Sequence, residues 1–124
     1  MSDMRQIIKP PETEAQFLGA VIELAHTYGW SVASFRPARL KDKDGKERWR
    51  TPVQADGAGW PDLVLSRPGS PIYFLEVKSE SGKVSPEQAG WLRLLDRAGS
   101  PALVVRPSDW KKLVGLLGPD SLNL

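Results

Sequence analysis

Gly59 to Gln88 reads GWPDLVLSRPGSPIYFLEVKSESGKVSPEQ, and the fold turns on how it is read. Leu63-Val64-Leu65 and Ile72 to Val77 are short apolar runs on either side of Arg67-Pro68-Gly69-Ser70-Pro71, a turn by composition. Runs this uniformly apolar predict strands covered on both faces, the habit of central strands in an α/β sheet. Ser85-Pro86-Glu87-Gln88 then starts a helix: Ser85 caps it, Pro86 takes the first helical position and Gln88 closes a capping box. Strand, turn, strand, helix is the resulting order.

The polar residues of this stretch fall where chemistry can use them. Asp62 stands at the mouth of the first strand, with Glu76 and Lys78 on the second. Residues two apart in a strand share a face, so Glu76 and Lys78 point one way and Val77 into the opposite layer. The short turn makes the strands a hairpin, which lets Asp62 and Glu76 reach one ion. With no cysteine and a single histidine, His26, on a helix remote in sequence, the oxygen-only set points to magnesium or manganese and away from zinc. Magnesium binds through one or two carboxylates plus a substrate phosphate, which fits Asp62 and Glu76, with the Val77 carbonyl a further ligand. Lys78 would orient or deprotonate an attacking water and stabilise charge developing on the phosphate. An acidic pair and a lysine held this way are the minimum equipment for driving water into a phosphodiester. An ordinary α/β domain with a Glu76–Lys78 salt bridge carries the same two residues, but it gives no reason for Asp62 at the end of the neighbouring strand.

Towards the N-terminus, Thr13-Glu14-Ala15-Gln16 has the spacing of a capping box. The helix it opens carries Phe17, Leu18, Val21, Leu24, Ala25 and Tyr28 at helical spacing, with Gly29 placed to stop it. Glu14 precedes Phe17, Leu18 and Val21 by three, four and seven residues, so it shares the apolar face one turn ahead of it. A carboxylate there is either paired or metal-bound, or it complements the positive end of the helix dipole. Gln88 repeats the pattern ahead of Trp91, Leu92 and Leu95, and a capping role accounts for it as well as a site role does.

Trp30 to Phe35 reads as a strand, Asp44-Gly45 as a hairpin turn, Lys46 to Val53 as the returning strand, and residues 54–59 as a flexible loop. Between Phe35 and Arg50 lie seven basic residues, Arg36, Arg39, Lys41, Lys43, Lys46, Arg48 and Arg50, against three acids. Counterion release from a polyphosphate rewards such a strip, and a solvated, charge-rich hairpin shows the same pattern. Beyond Gln88 the helix runs to Gly99, Ala102 to Val105 is a buried strand, and Ser108 to Leu117 a last helix stopped by Gly118. The order is helix, three or four strands, helix, strand, helix: an α/β domain of two or three layers. Its first half is antiparallel, and the strand near Ala102 runs parallel to its neighbour through a helical crossover.

The 124 residues, with a net charge of +2 and a pI near 9.0, suit one domain. The expected division is an N-terminal arm over 1–12, a domain over 13–118 and a tail over 119–124. No apolar run has the length of a membrane span and no secretory leader is visible, so the expected location is cytoplasmic, with no membrane partner.

Asp62 followed by Glu76-Val77-Lys78 resembles the PD-(D/E)XK nuclease motif, here with a literal Pro61-Asp62. The extended pattern is more specific. Gly59-x-Pro61-Asp62, Glu76-Val77-Lys78, Gly82-Lys83 and Ser85-Pro86-Glu87-Gln88, preceded by Glu14 and by Tyr28-Gly29-Trp30, resemble the virus-type replication-repair nuclease (VRR-NUC) domain from about Thr13 to Trp110. The resemblance implies a restriction-endonuclease-like core, with a mixed central sheet flanked by helices. It further implies a magnesium- or manganese-dependent endonuclease acting on branched or flapped DNA, similar to Holliday-junction resolvases in replication and repair, and working as a homodimer. Carried across, Glu14, Asp62 and Glu76 match the acidic positions, Lys78 the catalytic lysine and Gln88 the glutamine of the following helix. Arg36, Arg39, Lys41, Arg48, Arg50 and Lys83 are expected to contact DNA, on charge. A nucleic-acid-binding module without turnover would use the same strip, but has no reason to maintain a costly like-charged cluster.

Overall fold

Thr13 opens the first helix, α1 (Glu14–Thr27), with a complete capping box. The Thr13 hydroxyl accepts from the Gln16 N–H at 3.0 Å, and Gln16 Oε1 accepts from the Thr13 N–H at 3.2 Å. The apolar stripe buries Phe17, Val21, Leu24 and Ala25 as its spacing requires. The computed structural model describes residues 13–35, 38–41, 45, 47–50 and 54–119, and the backbone alone at 38–41 and 47–50. The expected arm over 1–12, and the tail beyond Pro119, lie outside the described residues.

Among the described residues six strands follow α1: β1 (Ser31–Ser34), β2 (Ala38–Lys41), β3 (Glu47–Arg50), β4 (Leu63–Ser66), β5 (Tyr73–Val77) and β6 (Ala102–Val105). Four of them form a mixed sheet in the order β1-β4-β5-β6. The β1–β4 and β4–β5 pairs are antiparallel, while β5 and β6 are parallel and joined through the crossover helix α2 (Pro86–Arg97). Connection length dictates both pairings: the Arg67 to Pro71 turn is too short for anything but a hairpin, and a parallel return needs a crossover such as α2.

Two details depart from the sequence reading. Among the described residues five strands precede α2 rather than three or four, with β2 and β3 forming a separate two-stranded sheet. β1 closes where the Phe35 N–H donates to the Asp62 carbonyl at 2.7 Å, and Pro37, two residues on, has no N–H to continue a ladder. The second departure is at the last helix, which begins as a 3-10 turn over Pro107–Asp109 before α3 (Trp110–Leu117). Asp109 tightens that turn by accepting the Arg106 N–H at 2.8 Å.

The pleat sorts the sheet residues into two layers. Leu63, Leu65, Leu75, Val77 and Val105 join Phe17, Val21 and Leu24 of α1 and Trp110, Leu113 and Leu117 of α3 in one core. Phe74 and Glu76, alternate residues of β5, face the other way, where α2 lies. The architecture is three-layered, α/β/α.

Arg67, in the turn between β4 and β5, is buried. Its Nη1 donates to the Tyr28 carbonyl at 2.8 Å and its Nη2 to the Gly118 carbonyl at 3.1 Å. It stacks 4.1 Å over the Trp30 ring, whose Nε1 donates to Leu117 O at 2.8 Å. One cation thus meets the negative ends of α1 and α3, and each charge-assisted bond is worth about 1.5–3 kcal/mol. The end of the sheet opposite the acids is fixed in this way.

Candidate active site

The β4–β5 register pairs Leu63 with Leu75. One step further along both strands brings Asp62 opposite Glu76, on the face that α2 covers. Asp62 is buried, and its Oδ2 accepts the Val77 N–H at 2.8 Å. A side chain takes over the ladder where β4 ends, and this fixes the carboxylate beside the last residues of β5. Glu76 is 2% exposed, which for a carboxylate demands a built environment.

Gln88 supplies part of that environment. Its Oε1 accepts the Ser85 N–H at 2.9 Å, closing the α2 capping box, while its Nε2 donates to Glu76 Oε1 at 3.0 Å. The cap is thus present, and the other end of the same amide reaches the Glu76 carboxylate. Lys78, half-buried, donates its N–H to the Val105 carbonyl at 3.0 Å. Val77 points into the core. Glu14 arrives from the α1 layer, and its Oε1 accepts the Ser79 N–H at 3.3 Å. The end of β5 is thus bracketed by α1 through Glu14 and by α2 through Gln88.

Arg36 lies outside the described residues, as do the side chains of Arg39, Lys41, Arg48 and Arg50, whose backbones form the β2–β3 hairpin. Lys83 is exposed in the loop between β5 and α2. His26 is exposed in the last turn of α1, away from the acids in sequence.

Sequence reasoning gave no role to Trp60 or Arg106 and took Gly59 only as part of a motif. Trp60 lies edge-on to Trp91 at 4.9 Å, to Phe74 at 5.5 Å and to Phe35 at 6.3 Å. Trp91 Nε1 donates to the Asp56 carbonyl at 3.0 Å, so the segment read as a flexible loop is tied to α2. Gly59, at φ +86, runs directly over the helix start: a Cβ there would stand 2.6 Å from Glu87 C and 2.7 Å from Gln88 N. The third residue is Arg106, whose Nη1 donates to the carbonyls of Ser79 at 2.6 Å, Gly82 at 2.7 Å and Glu80 at 3.2 Å. Its position was readable only from the β5–β6 register, which pairs Val77 with Val105 and so sets Arg106 beside Lys78. Glu80 lies in the same loop. Hydrogen bonds from Ser108, first side chain and then backbone, with a smaller contribution from the Arg106 charge, hold its carboxyl below the usual carboxylate value.

The donors present fit a hard divalent cation. Among the described residues no three His, Asp or Glu side chains gather closely enough to hold a metal by themselves. What the sheet aligns is a carboxylate pair, Asp62 and Glu76, beside a backbone carbonyl at Val77. Two carboxylates, completed by waters and a substrate phosphate, are a common arrangement for magnesium.

The model of the VRR-NUC domain family matches residues 24–109, more than half of the chain. The chain belongs to the VRR-NUC family. Asp62, Glu76, Val77, Lys78 and Gln88 fall inside the span matched to this nuclease-type domain, and Glu14 falls before it. A solved structure described as a VRR_NUC domain is 24% identical, covering 85% of this chain and 95% of that chain with a TM-score of 0.53. That likeness is one of fold, and the mixed sheet with helices on both faces is the PD-(D/E)XK-like VRR-NUC fold. No curated protein matches. Among the described residues no helix is long and apolar enough to cross a membrane.

Proposed function

We propose that this VRR-NUC domain is a divalent-metal-dependent, structure-selective endonuclease that hydrolyses phosphodiester bonds in branched DNA. The observation that carries the reading is the end of β5. Asp62 is locked to the Val77 N–H at 2.8 Å opposite Glu76, Gln88 holds Glu76 at 3.0 Å, and Lys78 shares the Glu76 face. Asp62, Glu76 and the Val77 carbonyl would hold magnesium or manganese, with Glu14 the outer member of the acidic set. A bound cation would supply Lewis-acid polarisation of the phosphate and make a bound water easier to deprotonate.

The chain's own groups do the rest. The Asp62–Val77 bond keeps one carboxylate from rotating away, and Gln88 does the same for Glu76, so the pair is ordered before substrate arrives. The Lys78 ammonium places positive charge beside the phosphate and orients the water. The basic strip, Arg36, Arg39, Lys41, Arg48 and Arg50, with Lys83 on the loop, would track phosphates without reading sequence. Cleavage of flap and four-way-junction DNA with magnesium and its loss on chelation test the reading.

Symmetric cutting of a junction calls for two sites related by a two-fold axis, so a homodimer belongs to the same proposal. Light scattering is expected to give twice the chain mass for the free protein, or twice the chain mass plus one junction for the DNA complex. A monomer in both the free and the DNA-bound state removes the dimer from the proposal.

A further inference from the structure

We infer that Arg106 is the positioning residue of the site, acting on the loop that follows Lys78 rather than on DNA. The inference rests on the nuclease reading of Asp62, Glu76 and Lys78. Three carbonyls of one short loop, Ser79, Glu80 and Gly82, converge on a single nitrogen of this side chain. Carbonyl oxygens repel one another when they converge, and a cation at their focus makes the arrangement stable. Arg106 is itself fixed. Its backbone N–H is taken by Asp109, and it follows directly on β6, which is paired with β5 up to Val77↔Val105.

The loop that it gathers carries the site's remaining contacts. Ser79 gives its N–H to Glu14, so the loop's position sets where that carboxylate stands. Gly82 closes back on the same turn, its N–H donating to Ser79 O at 3.2 Å. A Cβ at Gly82 would stand 3.0 Å from Ser79 Oγ and 3.5 Å from Lys78 Cδ, so the loop backs onto the lysine stem. From the other side, Glu80 accepts the Ser108 N–H at 2.8 Å. Arg106 and Ser108 together pin the loop to the β6–α3 turn. Without the guanidinium the loop opens, Lys78 loses the wall behind its stem, and Glu14 loses its partner's fixed position.

The test compares wild type, Arg106→Ala and Arg106→Lys in three measurements: kcat and KM on the DNA that wild type cleaves, DNA affinity in chelator, and amide hydrogen exchange of the free protein. Arg106→Ala is expected to lower kcat by about 10- to 100-fold with KM and affinity within two-fold of wild type, the range seen when a supporting contact is lost. Exchange should rise at Ser79 and Gly82 and stay unchanged at core amides such as Leu24. Arg106→Lys, one bond shorter but with three donors, should recover part of kcat, and added methylguanidinium should restore part of it to the alanine variant. Lowered affinity with kcat intact would make Arg106 a phosphate contact and overturn the inference. So would unchanged kcat or unchanged loop exchange. If wild type cleaves no DNA, the nuclease reading fails, while exchange in the free protein still decides whether Arg106 holds the loop. If the alanine variant does not fold, the lysine variant carries the comparison.

Discussion

Asp62→Asn and Lys78→Ala are each expected to reduce cleavage by about 10^2- to 10^4-fold, the usual consequence of losing a group that stabilises or orients the reacting centre. The two substitutions act differently. Asparagine keeps an oxygen for the Val77 N–H, so the end of β5 stays closed and only the negative charge beside the phosphate is lost. Alanine at the same position would also leave a buried N–H without its acceptor, which costs about 1–3 kcal/mol and confuses folding with catalysis. Lys78 bonds to the sheet through its backbone N–H, donated to Val105 O, which alanine retains. Both variants should therefore melt near wild type and bind DNA nearly as well, since affinity is carried mainly by phosphate contacts elsewhere. Single-turnover cleavage measured beside thermal melts checks this. Undiminished cleavage by either folded variant would remove the mechanism.

The second large effect is expected from one methyl group. Gly59→Ala places a Cβ within 2.7 Å of the backbone of Glu87 and Gln88, and backbone of a helix start cannot rotate away as a side chain can. The helix must shift, and Gln88 with it, so the 3.0 Å bond to Glu76 is lost together with the capping geometry. A positive φ adds about 1 kcal/mol for any residue with a Cβ. Gly99 separates the two causes, because it has φ +98 with nothing within 4 Å of a Cβ. Gly99→Ala should cost about 1 kcal/mol in urea denaturation and leave cleavage intact. Gly59→Ala should cost roughly 2–4 kcal/mol, by analogy with overpacking of well-packed interiors, and reduce cleavage at least 10-fold. Equal effects at the two positions would show that α2 does not depend on the close approach of Gly59.

The local rules reached far in this chain. Both capping boxes, at Thr13 and at Ser85, form as their spacing requires, because each involves residues three apart and nothing distant. The β4–β5 hairpin and the parallel β6 followed from connection length. Asp62 opposite Glu76 followed from the hairpin, and Val77 pointing to the core from the pleat. What could not be read depends on residues far apart in sequence. Arg106 meets Ser79 only because β6 lies beside β5, and Trp60 meets Trp91 only because α2 crosses the sheet. Arg67 sits in a Pro-Gly turn that composition assigns to the surface, yet two helix ends 90 residues apart, at Tyr28 and Gly118, converge on it. Gln88 shows the limit from the other side: spacing shows the cap, but the reach of its Nε2 to Glu76 depends on β5 lying beside the helix start.

The measurement that tests the central claim most directly is cleavage of end-labelled duplex, flap and four-way-junction DNA by the purified protein, with magnesium, with manganese and with chelator, alongside Asp62→Asn. Incision of a branched substrate that needs the metal, exceeds that of plain duplex and disappears in the variant is the expected result. Branched DNA left intact under every metal condition, or cut equally in chelator or by Asp62→Asn, would contradict the assignment of Asp62 and Glu76 as the metal-holding pair of a nuclease.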